Sequence, residues 1–150
     1  MKTLDGGRIG IASQALGLGE GAVEEAIKYT KERVQFGKRL SQFQNTQFQL
    51  ADMHCRMQAA QYLVYAAACK KAEHAKNSKV SYSMDAAMAK LFAAEAASDV
   101  TRRAVQLFGG YGYTREYPVE RMMRDAKITE IYEGTSEVQR MVIASNLGVK

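Results

Sequence analysis

The sequence predicts an all-α protein, an antiparallel helical bundle of four main helices followed by a short C-terminal helix. Apolar residues recur at steps of three and four along most of the 150 residues, as they do on one face of an α-helix, and no strand-like alternation of any length appears. Alanine is abundant and there is a single proline, which is the composition that helices favour. Short connections between such segments predict antiparallel packing.

The first helix is predicted over residues 9–34, and it ends at a turn marked by Gly37. Three glycines lie inside it, Gly17, Gly19 and Gly21, and their spacing resembles a fragment of a dinucleotide-binding loop. No strand precedes them and the helical periodicity continues through them. We therefore favour the interpretation that they allow a close crossing with another helix.

The second helix is predicted to begin near Ser41 or Gln42 and to run for about 30 residues. Its methionines are interpreted as adaptable core filling. A polar connector at 76–79 separates it from a third helix over residues 84–108, which is rich in alanine. Because small side chains let helices approach closely, we expect the third helix to be buried between its neighbours.

The last two helices follow a loop that carries three glycines, at 109–113. The fourth is predicted over residues 118–132, with the proline in its first turn, where a missing N–H is tolerated. The short fifth helix is predicted to be capped by Thr135 or Ser136. Ser136 and Gln139 match the spacing of a capping box.

Length and composition predict one domain over residues 1–150, with 47% hydrophobic residues to build a core. No apolar run is long enough for a membrane span, and the N-terminal residues lack an apolar signal region, so we expect a cytoplasmic protein, or a mitochondrial matrix protein in a eukaryote. Cys55 and Cys69 are too far apart along a helix for a disulfide, and no metal site is predicted.

A net charge of +5 raises the question of nucleic-acid binding. The densest basic cluster comprises Lys70, Lys71, Lys76 and Lys79. Glu73 interrupts it and no nucleic-acid motif accompanies it. We therefore interpret the cluster as a solvated helix end and expect no nucleic-acid partner.

Glu133 is the first of three places that a simple bundle does not require. It lies at the break between the fourth and fifth helices, followed by Gly134 and two hydroxyl residues. Such a break exposes backbone N–H groups that can hold an oxyanion, and a carboxylate there can act as a general base on a carbon acid. The alternative interpretation is an ordinary charged helix end.

The other two places can contact a cofactor. Arg33 precedes Gln35, Phe36 and Gly37 at the first turn, where a guanidinium can hold a phosphate and an aromatic ring can pack against a flat ligand. The segment 106–110 ends in paired glycines that allow a ligand to approach the backbone. A surface arginine and a helix C-cap are the respective alternatives.

Four stretches, at 5–9, 33–37, 106–113 and 117–137, together closely resemble the C-terminal helical domain of the acyl-CoA dehydrogenases. Any one of them is weak, but all four in order across the chain are highly specific. The resemblance implies FAD-dependent oxidation of an acyl-CoA thioester to the trans-2-enoyl-CoA, with electrons passed to an electron-transferring flavoprotein.

The resemblance also implies roles for individual residues. Glu133 matches the catalytic base that removes the α-proton, while a hydride leaves the β-carbon for the flavin. The positions that match acyl-CoA contacts are Asp5, Gly6, Gly7, Arg8 and Gly134. The positions that match FAD contacts are Arg33, Gln44, Gln106, Leu107, Phe108, Gly109, Gly110, Thr135, Ser136 and Glu137. Because some of these reach a flavin held mainly by the neighbouring subunit in the family, a homodimer or homotetramer is implied.

The residue at position 7 indicates which subfamily the chain resembles. Branched- and long-chain relatives place an acidic base at that position, whereas here the carboxylate is Glu133, so the chain looks most like the short-chain, butyryl-CoA type. Complete members also have an N-terminal helical domain and a middle β-barrel domain, which are absent from this chain, so we expect the isolated chain to be inactive. The alternative function is a non-catalytic helical oligomerisation module, which would have no need of Glu133 and Arg33.

Overall fold

Five α-helices follow one another in the computed structural model, which describes residues 2–149, and they confirm the predicted all-α bundle. They are α1 (Lys2–Glu32), α2 (Gln44–Lys76), α3 (Ser83–Phe108), α4 (Val119–Thr129) and α5 (Ser136–Asn146). Residues 1 and 150 of the predicted domain lie outside the described part. No helix of the described part is both long enough and apolar enough to span a membrane.

Helix α3 is the centre of the bundle and packs against α1, α2, α4 and α5. Its buried face is lined with alanines, as the sequence predicts. These are Ala86, Ala87, Ala89, Ala93, Ala94, Ala96, Ala97 and Ala104. Because each projects only a methyl group, four helices can lie close to α3 at once.

The crossing of α1 and α2 uses one of the three glycines in α1. A Cβ on Gly19 would lie 2.5 Å from both Cε and Sδ of Met57, which is buried on the inner face of α2. Gly17, in contrast, has no atom within 4 Å of the position that a Cβ would take. The close-crossing interpretation is therefore confirmed for Gly19.

Helix α1 begins seven residues earlier than its apolar periodicity predicts, at Lys2 rather than residue 9. The first turns bury polar side chains instead of apolar ones, because Arg8 donates to Asp5 at 2.6 Å and both are buried. A count of apolar residues cannot register a buried ion pair. The prediction for this end of the helix was wrong for that reason.

The predicted turn at Gly37 is a small β-hairpin that the sequence analysis missed. Strands β1 (Val34–Gln35) and β2 (Lys38–Arg39) pair antiparallel, with Val34 opposite Arg39. Phe36 and Gly37 have φ values of 53° and 76°, and two successive residues at positive φ are typical of a tight hairpin turn. A 3₁₀ turn over Leu40–Gln42 then leads into α2.

The C-terminal helices differ from the prediction at the break between them. Helix α4 ends at Thr129, three residues early, and Thr135 caps α5 by accepting from the Val138 N–H at 3.5 Å. The predicted capping box is wrong, because the Gln139 side chain donates to the carbonyls of the preceding turn instead.

Both cysteines are exposed on α2 and unpaired, as expected from their spacing. Within residues 2–149 no three His, Cys, Asp or Glu side chains are grouped so that they could hold a metal ion.

Candidate functional site

Glu133 lies in a strained turn between α4 and α5. Its φ is 55°, in the left-handed region that glycine tolerates and other residues avoid, and Gly134 follows at 92°. A Cβ on Gly134 would also lie 2.9 Å from the Gln139 amide nitrogen. The turn therefore requires glycine at 134 and holds Glu133 in a conformation that it would not adopt unaided.

Side chains from α3 and α5 hold this turn through its carbonyl groups. Gln139 Nε2 donates to the Glu133 carbonyl at 3.2 Å and to the Gly134 carbonyl at 2.8 Å. Lys90 Nζ donates to the same Gly134 carbonyl at 2.8 Å. The Tyr132 hydroxyl donates to Gln14 on α1, which ties the turn to a third helix.

The Glu133 carboxylate points towards the first turns of α1. A Cβ on Gly7 would lie 2.5 Å from Oε2 and 2.9 Å from Oε1, so the carboxylate occupies the space that a side chain at residue 7 would fill. Oε2 is buried and has no hydrogen-bond partner among the described residues. Because buried carboxylate oxygens are normally paired, the unpaired Oε2 makes Glu133 a candidate for a functional role.

The backbone N–H of Glu133 completes this small site. Within the described residues the hydrogen bonds of the turn include Ser136 N to Glu130 O at 3.0 Å, but none that starts from the Glu133 N–H. A free donor therefore lies in the same residue as a free carboxylate. This pairing fits a reaction in which one atom loses a proton while a neighbouring oxygen gains negative charge.

Only some of the predicted substrate residues lie next to Glu133. Gly7 and Gly134 adjoin Glu133, whereas Asp5 and Arg8 form the buried ion pair one turn away. Asp5 also accepts from Ser83 Oγ at 3.1 Å. A Cβ on Gly6 would face the Lys71 ammonium at 3.4 Å. The motif at the start of α1 therefore shapes the site from several sides rather than contributing one row of contacts.

Lys90 is fully buried in α3 beside this turn. Burial lowers the pKa of its ammonium and the Arg8 charge adds to that effect, while the carboxylates of Glu130, Glu137 and Glu133 oppose it. Sequence analysis missed Lys90. A usable signal existed, because residue 90 lies four after Ala86 and three before Ala93, on the face of α3 that carries most of its alanines.

Thr135, Ser136 and Glu137 lie at this same end of the molecule, on the first turn of α5. Thr135 is the N-cap, and Ser136 is buried with its hydroxyl unpaired among the described residues. The pKa of the Glu137 carboxyl is lowered, first by a hydrogen bond to its own backbone N–H and then by the Thr135 hydroxyl.

All but one of the remaining predicted cofactor residues meet at the opposite end of α1, in an open groove of about 500 Å³. Arg33 lies on one side and residues 106–110 lie on the other. The Arg33 guanidinium is 5.1 Å from the centre of the Tyr111 ring. A Cβ on Gly109 or Gly110 would meet no atom within 4 Å, so the backbone there is open to a ligand. Gln44 is exposed at the first residue of α2 and is not among the groove residues.

An aromatic cluster forms the floor of the groove. Tyr29 stacks on Phe108 with ring centres 4.0 Å apart, and its hydroxyl donates to the Phe108 carbonyl at 3.3 Å. Burial raises the pKa of Tyr29, and the nearby Arg33 charge partly offsets this. The sequence analysis assigned no site role to Tyr29 or Tyr111, because a tyrosine at helical spacing is indistinguishable from core filling.

Comparison with known proteins gives consistent matches over nearly the whole chain. Residues 1–148 match the family model described as "Acyl-CoA dehydrogenase, C-terminal domain". The short-chain-specific acyl-CoA dehydrogenase of Clostridium acetobutylicum is 62% identical over 147 residues, which are 98% of this chain and 38% of that protein.

Two solved structures match equally well. Butyryl-CoA dehydrogenase of Megasphaera elsdenii aligns with a TM-score of 0.92 at 57% identity, over 98% of this chain and 37% of that one. A chain in the structure described as the electron transferring flavoprotein of Acidaminococcus fermentans aligns with a TM-score of 0.92 at 58% identity, with the same coverage. The chain therefore spans less than two fifths of the length of these relatives.

Proposed function

The chain belongs to the acyl-CoA dehydrogenase family and corresponds to the C-terminal domain of its members. We propose that it carries the catalytic base of a flavin-dependent short-chain acyl-CoA dehydrogenase. The whole protein would convert an acyl-CoA to the trans-2-enoyl-CoA. The observation that carries the proposal is the Glu133 carboxylate, whose Oε2 is buried and has no partner among the described residues and which is seated against Gly7.

Glu133 would act as the general base. A carboxylate whose oxygen has no hydrogen-bond partner among the described residues is available to accept the α-proton of a bound thioester. That proton is weakly acidic, so its removal requires the thioester oxygen to be stabilised as charge develops on it. The free backbone N–H of Glu133 is a donor of the required kind, and the family resemblance assigns it this role.

FAD is the cofactor that the family implies, and the groove at the far end of α1 fits part of it. Arg33 offers a guanidinium for a phosphate, the tyrosine cluster offers flat surfaces, and Gly109 and Gly110 leave room for close approach. Thr135, Ser136 and Glu137 would approach the flavin from the Glu133 end. Bound FAD supplies the acceptor for the hydride that leaves the β-carbon.

The spacing of the two sites supports self-association. Gly7 and Glu32 are separated by 25 residues of continuous helix, about 38 Å at 1.5 Å per residue. This is longer than one extended flavin dinucleotide. The two sets of cofactor residues would therefore contact two different FAD molecules, as expected if Arg33 reaches a cofactor held by a neighbouring subunit.

The proposal extends to the partners of the whole protein. We propose a homodimer or homotetramer that takes a short acyl-CoA and passes electrons to an electron-transferring flavoprotein, in the bacterial cytoplasm or the mitochondrial matrix. The similarity to a chain in the Acidaminococcus fermentans structure supports that electron acceptor.

A chimera tests the proposal. We would replace the matching segment of the Megasphaera elsdenii relative with this chain and record the visible spectrum before and after butyryl-CoA is added without oxygen. A yellow protein that bleaches supports the proposal, and Glu133→Gln should lower the rate of bleaching by roughly 10²- to 10⁴-fold. A yellow protein whose Glu133→Gln variant bleaches at an unchanged rate would exclude Glu133 as the base.

The non-catalytic oligomerisation module is the competing function. Such a module needs no left-handed glutamate with an unpaired oxygen, because helix packing alone would hold its subunits together. If the chimera assembles with bound FAD but never bleaches with any short acyl-CoA, this alternative replaces the enzymatic one.

A further inference from the structure

Lys90 is an unusual residue for the interior of a helical bundle. Its side chain is 0% exposed, in the middle of the alanine-lined face of α3. Lysine is almost never fully buried, because its ammonium loses its hydration. Among the described residues, the one hydrogen bond of its side chain goes to the carbonyl of Gly134, 44 positions along the chain.

Fold stability does not explain this residue. Even a buried ion pair can often be replaced by apolar side chains of similar volume at no cost, so a buried charge is weak evidence for a stabilising role. Gly134 would still have a donor in that case, because Gln139 Nε2 reaches the same carbonyl at 2.8 Å. What Lys90 adds is a second donor, from a different helix, on one oxygen.

The geometry of the turn shows what that second donor controls. Gln139 holds the Glu133 carbonyl, and Gln139 and Lys90 together hold the Gly134 carbonyl, so both peptide groups that follow Glu133 are fixed. These two peptide groups include the residues at φ 55° and φ 92°. A left-handed non-glycine residue persists only where its surroundings hold it.

We propose that Lys90 is a positioning residue for Glu133, acting through the Gly134 carbonyl to keep the Glu133 carboxylate and N–H aimed at the site beside Gly7. The inference rests on the proposed function, because it takes Glu133 as the base. Lys90 itself does not contact the reacting atoms. Its effect is to preserve an arrangement in which a displacement of about 1 Å costs roughly 10²-fold in rate.

Lys90→Met in the chimera tests the inference, because methionine keeps the stem of the side chain and removes only the ammonium. We expect kcat with butyryl-CoA to fall roughly 10- to 100-fold, the KM to stay within about twofold, and the melting temperature not to fall. Lys70→Met is the matched control, since Lys70 is exposed on α2, and it should leave all three unchanged. A Lys90→Met variant with wild-type kcat overturns the inference.

A second comparison separates positioning from a general structural role. In a Glu133→Gln background, Lys90→Met should change the residual rate by less than about twofold, because residues that act as one unit are not additive. If Lys90→Met lowers the residual rate by the same factor as in the wild type, it acts independently of Glu133 and the inference fails.

Crystal structures of the chimera keep the inference separate from the proposed function. If the wild-type chimera binds FAD but has no dehydrogenase activity, the proposed function fails on its own. The positioning claim is then decided by the backbone, since Lys90→Met should move Glu133 out of its left-handed conformation. An unchanged Glu133–Gly134 turn in that variant overturns it whatever the activity.

Discussion

Glu133 combines a residue type and a backbone conformation that seldom occur together. Left-handed backbone costs a non-glycine residue about 1–2 kcal/mol, and a buried carboxylate oxygen without a partner adds to that cost. Donors from Lys90 and Gln139 hold the left-handed turn through its carbonyl groups, and Gly7 leaves the space that the carboxylate occupies. Strain that is held in this way by several helices is characteristic of sites where chemistry takes place.

The lack of a side chain at Gly7 predicts that adding one methyl group there disturbs the Glu133 carboxylate. In Gly7→Ala the new Cβ would lie 2.5 Å from Oε2 of Glu133, so the carboxylate must move while the helix itself gains. We expect kcat in the chimera to fall by roughly 10²-fold with no loss of thermal stability. Steady-state kinetics and a melting curve measure both.

Gly10→Ala is the matched control, three residues along the same helix, where a Cβ would meet no atom within 4 Å. It should stabilise the protein by about 0.5–1 kcal/mol and leave kcat unchanged. Equal activity in the two variants would show that the Glu133 carboxylate does not depend on the space at residue 7.

The burial of Lys90 also leads to a prediction of how the free energy of unfolding depends on pH. Its pKa in the fold is lowered by burial, while the unfolded chain has the ordinary value of about 10.4. Between those two values the unfolded state binds more protons than the folded state, so the free energy of unfolding rises with pH across that window. Urea unfolding of the wild type and Lys90→Met at a series of alkaline pH values measures the effect.

The difference between the two proteins isolates this residue from the other lysines and tyrosines. We expect the wild type to gain stability relative to Lys90→Met as the pH approaches about 10.4, and to gain nothing further above it. A difference that stays constant over the whole range would mean that burial does not perturb Lys90.

At the level of elements, α3 organises both candidate sites. Its buried face packs against α1, it carries Lys90 towards the Glu133 turn, and its last residues, 106–108, lie at the groove. The two sites therefore share one pair of helices as their frame. Small side chains make this possible, since alanines on α3 and Gly19 on α1 let the helix axes approach.

The α1–α2 crossing gives a prediction about packing. Gly19→Leu would force a side chain into the space of Met57, which is buried, and should destabilise the chain by about 1–3 kcal/mol. Gly17→Leu, two residues away on an open face, should cause no such loss. Urea unfolding of both variants measures the difference.

The double variant Gly19→Leu, Met57→Ala tests the cause. Truncation of Met57 removes the atoms that the leucine would strike, so part of the lost stability should return. If the double variant loses at least as much stability as the sum of the two single losses, the crossing is not limited by this contact.

At the level of the whole molecule, the two candidate sites lie at opposite ends of α1. The Glu133 end holds the proposed base and the hydroxyl residues of α5, whereas the Arg33 end holds an aromatic groove. Because about 38 Å of helix lies between them, a change at one end should leave the other intact.

Arg33 provides the prediction that tests this separation. In the chimera, Arg33→Met should weaken FAD binding by roughly 10- to 100-fold, since it removes a guanidinium suited to a phosphate. The kcat measured with saturating FAD should stay within about twofold. Flavin titration followed by kinetics gives both values, and Arg39→Met, an exposed cation in the same hairpin, is the control.

The isolated chain should behave differently from the chimera. It spans 38% of the Clostridium acetobutylicum relative, so we expect the purified chain to be colourless and to have no dehydrogenase activity. An absorption spectrum decides this. A yellow isolated chain would mean that copies of this domain hold FAD between them.

The sequence by itself determined the helices, the order of the elements and the family motifs. Periodicity and alanine content act over a few residues, which is why α2, α3 and the position of Glu133 between helices could be predicted. The start of α1 and the Ser136–Gln139 capping box were predicted wrongly, because a buried ion pair and a redirected glutamine leave no local signature.

Only the tertiary structure decided how the site is held. Lys90 meets Gly134 across 44 residues, and Gly7 meets Glu133 from the first turns of α1. Such contacts depend on how helices pack, and no pattern of neighbouring residues encodes which distant atom a buried ammonium will reach. The proposed base could therefore be named from the sequence, whereas the residues that hold its turn in place required the fold.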